Sequence, residues 1–158
     1  MVAKILVALD NSPISNKIFQ DALMLARSQS AELMLVHILS TQSTDSPPDP
    51  RMLSLGMDVQ LSLDWVQSYQ QQWESFEQES LEMLKSLAAE ATAAGITAEV
   101  TQTYGNPGRT LCELAKTWNA DLVVLGRRGK SQIAELLLGS TSNYAIHHLP
   151  CSVYVVHV

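Results

Sequence analysis

The fold of this chain is decided by the stretch DLVVLGRRGKSQIAELLLGS at residues 121–140. Its apolar beginning predicts a buried strand, and the segment near its end predicts an apolar helix. Glycines lie between and beside them at Gly126, Gly129 and Gly139. A glycine-rich turn between a strand and a helix lets bare backbone N–H groups approach an anion. The stretch therefore predicts a strand–turn–helix unit that binds a nucleotide phosphate at its turn.

The composition is that of one globular domain. The chain has 158 residues, of which 46 % are apolar and 16 % are charged, enough for a substantial core. The net charge of −6 and the lack of a Lys/Arg run argue against nucleic acid as a partner. No apolar stretch approaches the roughly 20 residues of a membrane span. Cys112 and Cys151 form no CxxC pair, so we expect a cytoplasmic protein without a zinc or disulfide framework.

Strand and helix patterns alternate along the whole chain. The predicted strands cover residues 2–9, 33–39, 96–103, 122–126 and 152–158. The first predicted helix begins at Pro13 with Ser12 as its cap, and the others begin near residue 61, after Gly108 and at residue 133. This order predicts one domain over 1–158 with an α/β fold, in which helices cover both faces of a doubly wound, five-stranded parallel sheet. Residues 40–60 are proline-rich at 47–50 and predict an irregular insertion.

The second helix of this pattern is unusually long. Residues 61–94 would span about 50 Å without a break, so we expect a break at residues 74–80. The aromatic residues of its first half recur every three or four positions: Trp65, Tyr69, Trp73 and Phe76. This spacing is typical of a core-facing stripe, and it also fits an exposed flank that contacts a partner.

An acidic residue ends the first strand. In doubly wound sheets the ligand lies beyond the carboxyl ends of the strands, where the winding reverses. If strands 1 and 4 flank that point, Asp10 lies beside Gly126. Asp10 is then placed to accept hydrogen bonds from ribose hydroxyls, or it only caps the first helix in an Asx turn. His37 ends the second strand nearby, and we interpret it as a satisfied, half-buried histidine.

The chain resembles the universal stress protein family over essentially its whole length. KILVALDNSPIS at residues 4–15 is similar to the first strand and acidic turn of that family, and residues 139–158 are similar to its last helix and strand. The family motif G-x2-G-x9-G-[ST] is satisfied from Gly126 through Ser140. The resemblance implies membership of the ATP-binding branch, which this motif marks.

The resemblance also implies which residues contact the nucleotide. Asp10 matches the acid that contacts adenosine, and Ile38 matches an apolar residue on the base. The backbone beside the adenine corresponds to Ala8 and Leu9, and Leu125 precedes the first glycine. The phosphate and ribose loop corresponds to Gly126, Arg127, Gly129, Gly139, Ser140, Thr141 and Ser142. Arg127 stands where the family commonly has a small hydroxyl residue, and it either adds a cationic phosphate contact or is solvated.

The ligand and partner implied by this resemblance are an adenine nucleotide and a second copy of the chain. ATP, ADP or AMP is expected, with Mg²⁺ as the companion of a triphosphate. The resemblance implies a homodimer joined through the last strand, here residues 152–158. An unpaired, β-prone edge strand also favours pairing with another chain.

No catalytic group accompanies the glycines. Gly129-Lys130-Ser131 is not part of a P-loop, because the glycine that a P-loop requires at position 124 is Val124. The sequence shows no nucleophile–base arrangement and no metal-ligand cluster. We therefore expect a nucleotide-dependent sensor or regulatory module for stress response, acting on an unknown protein partner. The alternatives are a slow ATP hydrolase and a nucleotide-free dimeric interaction module.

Overall fold

The computed structural model describes residues 1–41, 43, 45–48, 63–127 and 139–157. Within these residues the strands are β1 Lys4–Ala8, β2 Glu32–Leu39, β3 Ala98–Tyr104, β4 Leu122–Gly126 and β5 Ser152–Val156. The helices are α1 Ser15–Gln29, α2 Leu63–Ala93, α3 Pro107–Trp118 and α4 Ser140–His148. All strand pairs are parallel, in the order β3-β2-β1-β4-β5. The predicted doubly wound sheet is confirmed.

Helices cover both faces of the sheet. Ile5 and Val7 of β1 pack in one apolar cluster with residues of α1 and α2. Leu6, between them in sequence, packs in a second cluster with residues of α3 and α4. Successive side chains of a strand point to opposite faces, so a strand covered on both sides must be apolar at every position. The continuous apolar runs of β1, β2 and β4 therefore reflect a three-layer α/β/α arrangement.

Three helices end in the same left-handed turn. The residues after α1, α2 and α3 have positive φ angles of 56° at Ser30, 82° at Gly95 and 56° at Asn119. The next residue then donates its N–H to the carbonyl five positions back: Ala31 to Ala26, Ile96 to Ala91 and Ala120 to Ala115, at 2.8–2.9 Å. This Schellman pattern satisfies terminal carbonyls and turns the chain toward the next strand. The predicted role of Gly95 as the residue that ends α2 is confirmed.

The helix starts differ from the sequence predictions. α1 begins at Ser15, because the Ser12 hydroxyl donates to the Asp10 carboxylate instead of capping the helix at Pro13. α4 begins at Ser140, since Gly139 has an extended ψ of 158°. A continuous helix over 133–148 is therefore wrong at residue 139, and its predicted first part lies outside the described residues.

The predicted break in the long helix is also wrong. α2 is continuous over 31 residues, about 46 Å. The break was predicted from length alone, because an unbroken helix is longer than a domain of this size. Instead, its first buried residue is Phe76, and the part before it extends past the sheet. The described part of the chain contains no helix that is both long and apolar enough to span a membrane.

Asp121 joins the beginnings of β1 and β4. Its Oδ2 atom accepts the N–H groups of Ala3 at 2.8 Å and Lys4 at 3.0 Å. Its own N–H donates to the Lys4 carbonyl at 2.9 Å. The hydrogen bonds from Ala3 and Lys4 hold the pKa of Asp121 below its ordinary value. The carboxylate thus aligns the first residues of the two central strands.

We expect the stabilising effect of Asp121 to depend on pH. Because its pKa is lower in the folded protein than in the unfolded chain, its contribution is present above the unfolded pKa and is lost as pH falls through the folded pKa. Asp121→Asn keeps an acceptor oxygen but loses the charge. Urea unfolding should show that this variant is less stable than the wild type at pH 7, with a smaller difference near about pH 2.5. A pH-independent difference would contradict this role.

Candidate functional site

A cavity opens where the winding of the sheet reverses. β1 pairs with β2 on one side and with β4 on the other, so the chain crosses over in opposite directions from the two strands. At the carboxyl ends of β1 and β4 lies a cavity of about 420 Å³. It has the position in which doubly wound proteins bind their ligands.

Ten of the twelve predicted site residues line this cavity. They come from the ends of β1, β2 and β4 and from the start of α4: Ala8, Leu9, Asp10, Ile38, Leu125, Gly126, Gly139, Ser140, Thr141 and Ser142. Arg127 is not among the lining residues, and its N–H continues the β4–β5 ladder to the Val156 carbonyl at 3.0 Å. Gly129 lies outside the described residues.

The remaining lining residues were not predicted to contact a ligand. They belong to α1, β2, the following loop, α3 and α4: Ile14, Ile18, Val36, His37, Ser43, Asn106, Pro107, Gly108, Leu111 and Tyr144. One signal was available for part of this set. Asn106-Pro107-Gly108 follows the carboxyl end of β3, and turns at that edge surround the ligand site in this fold class. The packing of α3 against α4 closes the cavity on that side.

One half of the cavity is apolar. Val36, Leu111 and Leu125 are buried at its wall, with 0–3 % of their surface exposed, and Ile38 is half-buried beside them. The Leu9 N–H donates to the Val36 carbonyl at 2.8 Å, which holds the ends of β1 and β2 together. Aliphatic walls of this kind suit a flat heteroaromatic ring.

The other half is formed by the start of α4. Gly139 is the N-cap of this helix, and no side chain caps it within the described structure. The first N–H groups of a helix, here those of Ser140, Thr141 and Ser142, have no carbonyl partner inside the helix. They carry the positive end of the helix dipole, which favours an anion. The Ser142 hydroxyl donates to the Gly126 carbonyl at 3.2 Å and thereby fixes this end of the helix against β4.

Asp10 forms an Asx turn at the edge of the cavity. Its Oδ1 atom accepts the Ser12 N–H at 2.9 Å and the hydroxyl groups of Ser12 and Ser15. The Ser15 hydroxyl also contacts the Asp10 backbone, donating to its carbonyl at 2.6 Å and accepting its N–H at 3.0 Å. This network orders the turn between β1 and α1. Asp10 thus forms the predicted Asx turn, but the turn lies before α1 and does not cap it. The half-buried Asp10 also lines the cavity.

Gly126 has a packing role of its own. A Cβ atom at this position would lie 2.5 Å from Cδ1 of Ile18 and 3.3 Å from Cδ1 of Ile14. Gly108 is similarly close to another helix, since its Cβ would lie 3.1 Å from Cβ of Tyr144. These glycines let α1 approach β4 and let α3 approach α4. A substitution at Gly126 would therefore perturb the packing of α1 on β4 as well as the binding of any ligand in the cavity.

His37 is a buried histidine with several partners. It is 2 % exposed, and its Nδ1 atom lies 3.3 Å from Nε2 of Gln102. That amide nitrogen also donates to the Glu77 carbonyl at 3.0 Å, so Nδ1 acts as the acceptor and the proton lies on Nε2. Nε2 faces Oδ2 of Asp45 at 3.8 Å, and this oxygen accepts the Asn11 N–H at 3.1 Å. His37 is satisfied, as predicted, but it is buried more deeply.

Within the described residues, the cavity is accompanied by neither a metal-binding cluster nor a thiol of lowered pKa. Among the described residues, no three His, Cys, Asp or Glu side chains form a group that could hold a metal ion. Cys112 and Cys151 are free and half-buried, and burial raises the pKa of both thiols. The described cavity thus offers a ligand an aliphatic wall and the N–H donors of a helix start.

These features define a class of protein: a doubly wound α/β domain with a cavity at the carboxyl ends of β1 and β4, lined by an apolar slot and a helix N-terminus. The model of the universal stress protein family matches residues 1–157, and the chain belongs to this family. Universal stress protein Sll1388 from Synechocystis sp. is 37 % identical over 153 residues, which cover 97 % of this chain and 96 % of that protein.

Solved structures share the fold. Universal stress protein UspA from Lactobacillus plantarum has a TM-score of 0.74 at 20 % identity, covering 98 % of this chain and 97 % of that chain. A universal stress protein in complex with cAMP has a TM-score of 0.63 at 23 % identity, covering 99 % and 97 %. A universal stress protein family protein from Arabidopsis thaliana with AMP bound has a TM-score of 0.62 at 18 % identity, covering 98 % and 91 %.

The packing role of Gly126 predicts a compensating pair of substitutions. Gly126→Ala should lower the free energy of unfolding by roughly 1–3 kcal/mol through overpacking, and Ile18→Val by roughly 0.5–1.5 kcal/mol. The loss of unfolding free energy in the double variant should be at least about 0.5 kcal/mol smaller than the sum of the two single losses. The reason is that valine lacks the Cδ1 atom that the new methyl group of alanine would contact. Urea denaturation of the four proteins measures this coupling, and strict additivity would contradict the contact.

Proposed function

We propose that this protein binds an adenine nucleotide, ATP in particular, and acts as a nucleotide-dependent sensor or regulatory module in stress response. The observation that carries the proposal is the pairing of an apolar slot with the N-terminus of α4 in one cavity. Two solved proteins of the same fold, with AMP and with cAMP, support this choice of ligand. The G-x2-G-x9-G-S motif of the sequence supports the triphosphate.

In the proposed complex, the adenine lies in the slot formed by the ends of β1 and β2 with Leu111 and Leu125. Asp10 accepts hydrogen bonds from the ribose, and the phosphates lie at the N–H groups of Ser140–Ser142. Gly139 keeps the approach to these N–H groups free of a side chain. The proposal extends to Arg127 and Gly129 as the start of the phosphate loop.

Phosphate binding would rely on backbone donors. Asp10 is the one carboxylate among the described lining residues, and these include no Lys or Arg. A triphosphate carries about four negative charges, so N–H groups and the helix dipole must offset them together with a bound cation. We propose Mg²⁺ for that cation, held by the phosphates and water, because Oδ1 of Asp10 already accepts hydrogen bonds from Ser12 and Ser15.

Binding, and not turnover, is the proposed activity. Hydrolysis needs a group that orients or deprotonates water beside the γ-phosphate. Among the described lining residues, Asp10 is held in its turn and His37 contacts Gln102. Both lie at the adenosine end of the proposed complex. Any ATP hydrolysis is therefore expected to be slow.

The proposal includes a homodimer through the last strand, residues 152–158. β5 lies at one edge of the sheet. The Val156 carbonyl accepts a hydrogen bond from the β4 side of the sheet, from the Arg127 N–H. Because successive residues of a strand direct their backbone groups to opposite sides, the N–H and carbonyl of Val155 point away from β4, toward the open edge. An edge of this kind can pair with the same edge of a second copy around a two-fold axis.

Sedimentation velocity tests the dimer. The wild type should sediment as a dimer at micromolar concentration. Val155→Pro should dissociate it by removing an outward N–H donor, whereas Val155→Ala should stay dimeric. A monomeric wild type, or a Val155→Pro dimer as tight as the wild type, would contradict the proposed interface.

Substitution of Ser140 should separate folding from nucleotide binding. An acidic residue in the first turn of α4 stabilises the helix by about 0.3–1 kcal/mol, but it repels phosphate at the same place. Ser140→Asp should therefore raise the melting temperature slightly and weaken ATP binding at least about tenfold, a loss of 1.4 kcal/mol. Isothermal titration calorimetry, with Ser140→Asn as the uncharged control, measures this. Wild-type affinity in Ser140→Asp would place the phosphates elsewhere.

The direct test is the nucleotide that the purified protein carries or takes up. The protein is denatured, and the supernatant is analysed by anion exchange with mass detection. ATP, ADP or AMP in the supernatant, or a calorimetric signal with added Mg·ATP, supports the proposal. If neither appears at millimolar ATP, the function is that of a nucleotide-free dimeric interaction module.

A further inference from the structure

An exposed aromatic surface lies at the first half of α2, outside the nucleotide cavity. Trp65 has 42 % of its surface exposed, and Tyr104, at the end of β3, has 62 % exposed. Tyr69 and Trp73 lie between them and are half-buried. We call Trp65, Tyr69, Trp73 and Tyr104 the aromatic ridge. Aromatic side chains clustered at a surface are typical of a protein-interaction site.

The length of α2 explains why the ridge is exposed. Tyr104 is the last residue of β3, and its hydroxyl contacts Glu77, so α2 passes the end of the sheet near residue 77. The preceding residues, 63–75, extend about 20 Å farther. The described residues place no strand of the sheet beneath this part of the helix. The aromatic spacing of the sequence therefore marks a core-facing stripe only from Phe76 onward.

Three of the four rings of the ridge, those of Tyr69, Trp73 and Tyr104, contact one another through Trp73. Tyr69 packs edge-on against Trp73 with 6.4 Å between ring centroids, and Trp73 packs edge-on against Phe76 at 5.6 Å. Tyr104 lies 6.5 Å from Trp73. Phe76 is buried, with 8 % of its surface exposed, and it anchors the series to the core. Docking of a partner here would order few further side chains of the ridge, and this low entropic cost favours binding.

The surface around these rings is acidic. The half of α2 that carries the rings, residues 63–80, contains four acidic residues and no Lys or Arg: Asp64, Glu74, Glu77 and Glu79. The ion pairs found among the described residues involve none of these carboxylates. The Tyr104 hydroxyl donates to Oε2 of Glu77 at 2.7 Å, and this hydrogen bond, with burial and the Glu77 charge, raises the pKa of Tyr104. The phenol therefore stays neutral, and it holds the Glu77 carboxylate at the border of the ridge.

We propose that the aromatic ridge docks a cationic segment of a partner protein, in which Lys or Arg side chains alternate with apolar anchors. Ammonium and guanidinium groups bind to the faces of Trp and Tyr rings, and Glu77 and its neighbours pair with the same charges. The apolar anchors of the partner cover Trp65 and Trp73, as aromatic anchors do in other interfaces.

The charge of the chain selects this occupant over others. A second copy would bring another acidic α2 against the first, in a chain with a net charge of −6, and like charges across an interface repel. Nucleic acids and anionic membranes are disfavoured for the same reason. The inference goes beyond nucleotide binding and does not depend on it, although the ring of Phe76 contacts pocket-lining His37 at 5.6 Å between centroids.

The test uses the full chain without added nucleotide and a fluorescent probe peptide. The probe has about twelve residues, with Lys and Leu placed so that one helical face is charged and the other apolar. Its control has Glu in place of every Lys. Fluorescence anisotropy should show at least about tenfold tighter binding of the Lys peptide, and this binding should weaken as salt is raised.

Matched variants locate the binding surface. Trp65→Ala and Glu77→Gln should each weaken binding of the Lys peptide about threefold to tenfold. Met24→Ala removes an exposed apolar side chain on α1, where Met24 is 61 % exposed, and Glu113→Gln removes one exposed charge on α3. Both controls should bind as the wild type does. Thermal melting verifies that all four variants are folded.

Three results would overturn the inference. Equal affinity for the Lys and Glu peptides would mean that charge does not select the partner. Equal losses in the ridge variants and their controls would mean that the peptide binds the acidic chain without a site. If the Lys peptide does not bind and Trp65→Ala dissociates a dimer in sedimentation velocity, the ridge is a contact between copies of this chain. None of these results bears on ATP binding, which is measured separately.

Discussion

The structure depends on the pairing of β1 with two parallel neighbours, β2 and β4. β1 is five residues long and apolar at nearly every position, because helices cover both of its faces. The chain leaves β1 toward β2 and later returns on the other side to form β4, and this reversal separates the loops at the carboxyl ends. The cavity is a consequence of that separation. Asp121 at one end and the contact between Gly126 and Ile18 at the other hold β1, β4 and α1 in the required positions.

The cavity shows how packing and recognition share the same residues. Gly126 lines the cavity, yet Ile18 of α1 fills the space that a side chain at position 126 would need. Asp10 faces the cavity, yet it orders the turn that leads into α1. Ser142 belongs to the proposed phosphate site, yet its hydroxyl fastens α4 to β4. A substitution at such a residue changes stability together with affinity, so an exposed position such as Ser140 separates the two properties more clearly.

α2 connects the cavity to the outer surface of the protein. Its second half packs on β2 and β3, where Leu84 and Ala91 are buried. Near the end of the sheet it meets a polar cluster, in which the Asn11 side chain donates to the Ser80 hydroxyl at 2.9 Å. Its first half then extends away from the sheet as the aromatic ridge. A single helix thus contacts the turn after β1, a pocket-lining histidine and the surface proposed for a cationic partner.

The sequence by itself determined the class of the fold and half of the described residues that line the cavity. Continuous apolar runs mark strands buried on both faces, and the residues that follow them must meet at one edge of a parallel sheet; Asp10, Ile38 and Leu125 were placed in this way. Tertiary structure decided what depends on contacts between distant elements. It added Asn106–Gly108 and Tyr144 to the cavity, because α3 and α4 pack where Gly108 leaves room. It also kept α2 continuous beyond the sheet, since helical periodicity reports which face of a helix is apolar but not where its neighbours end.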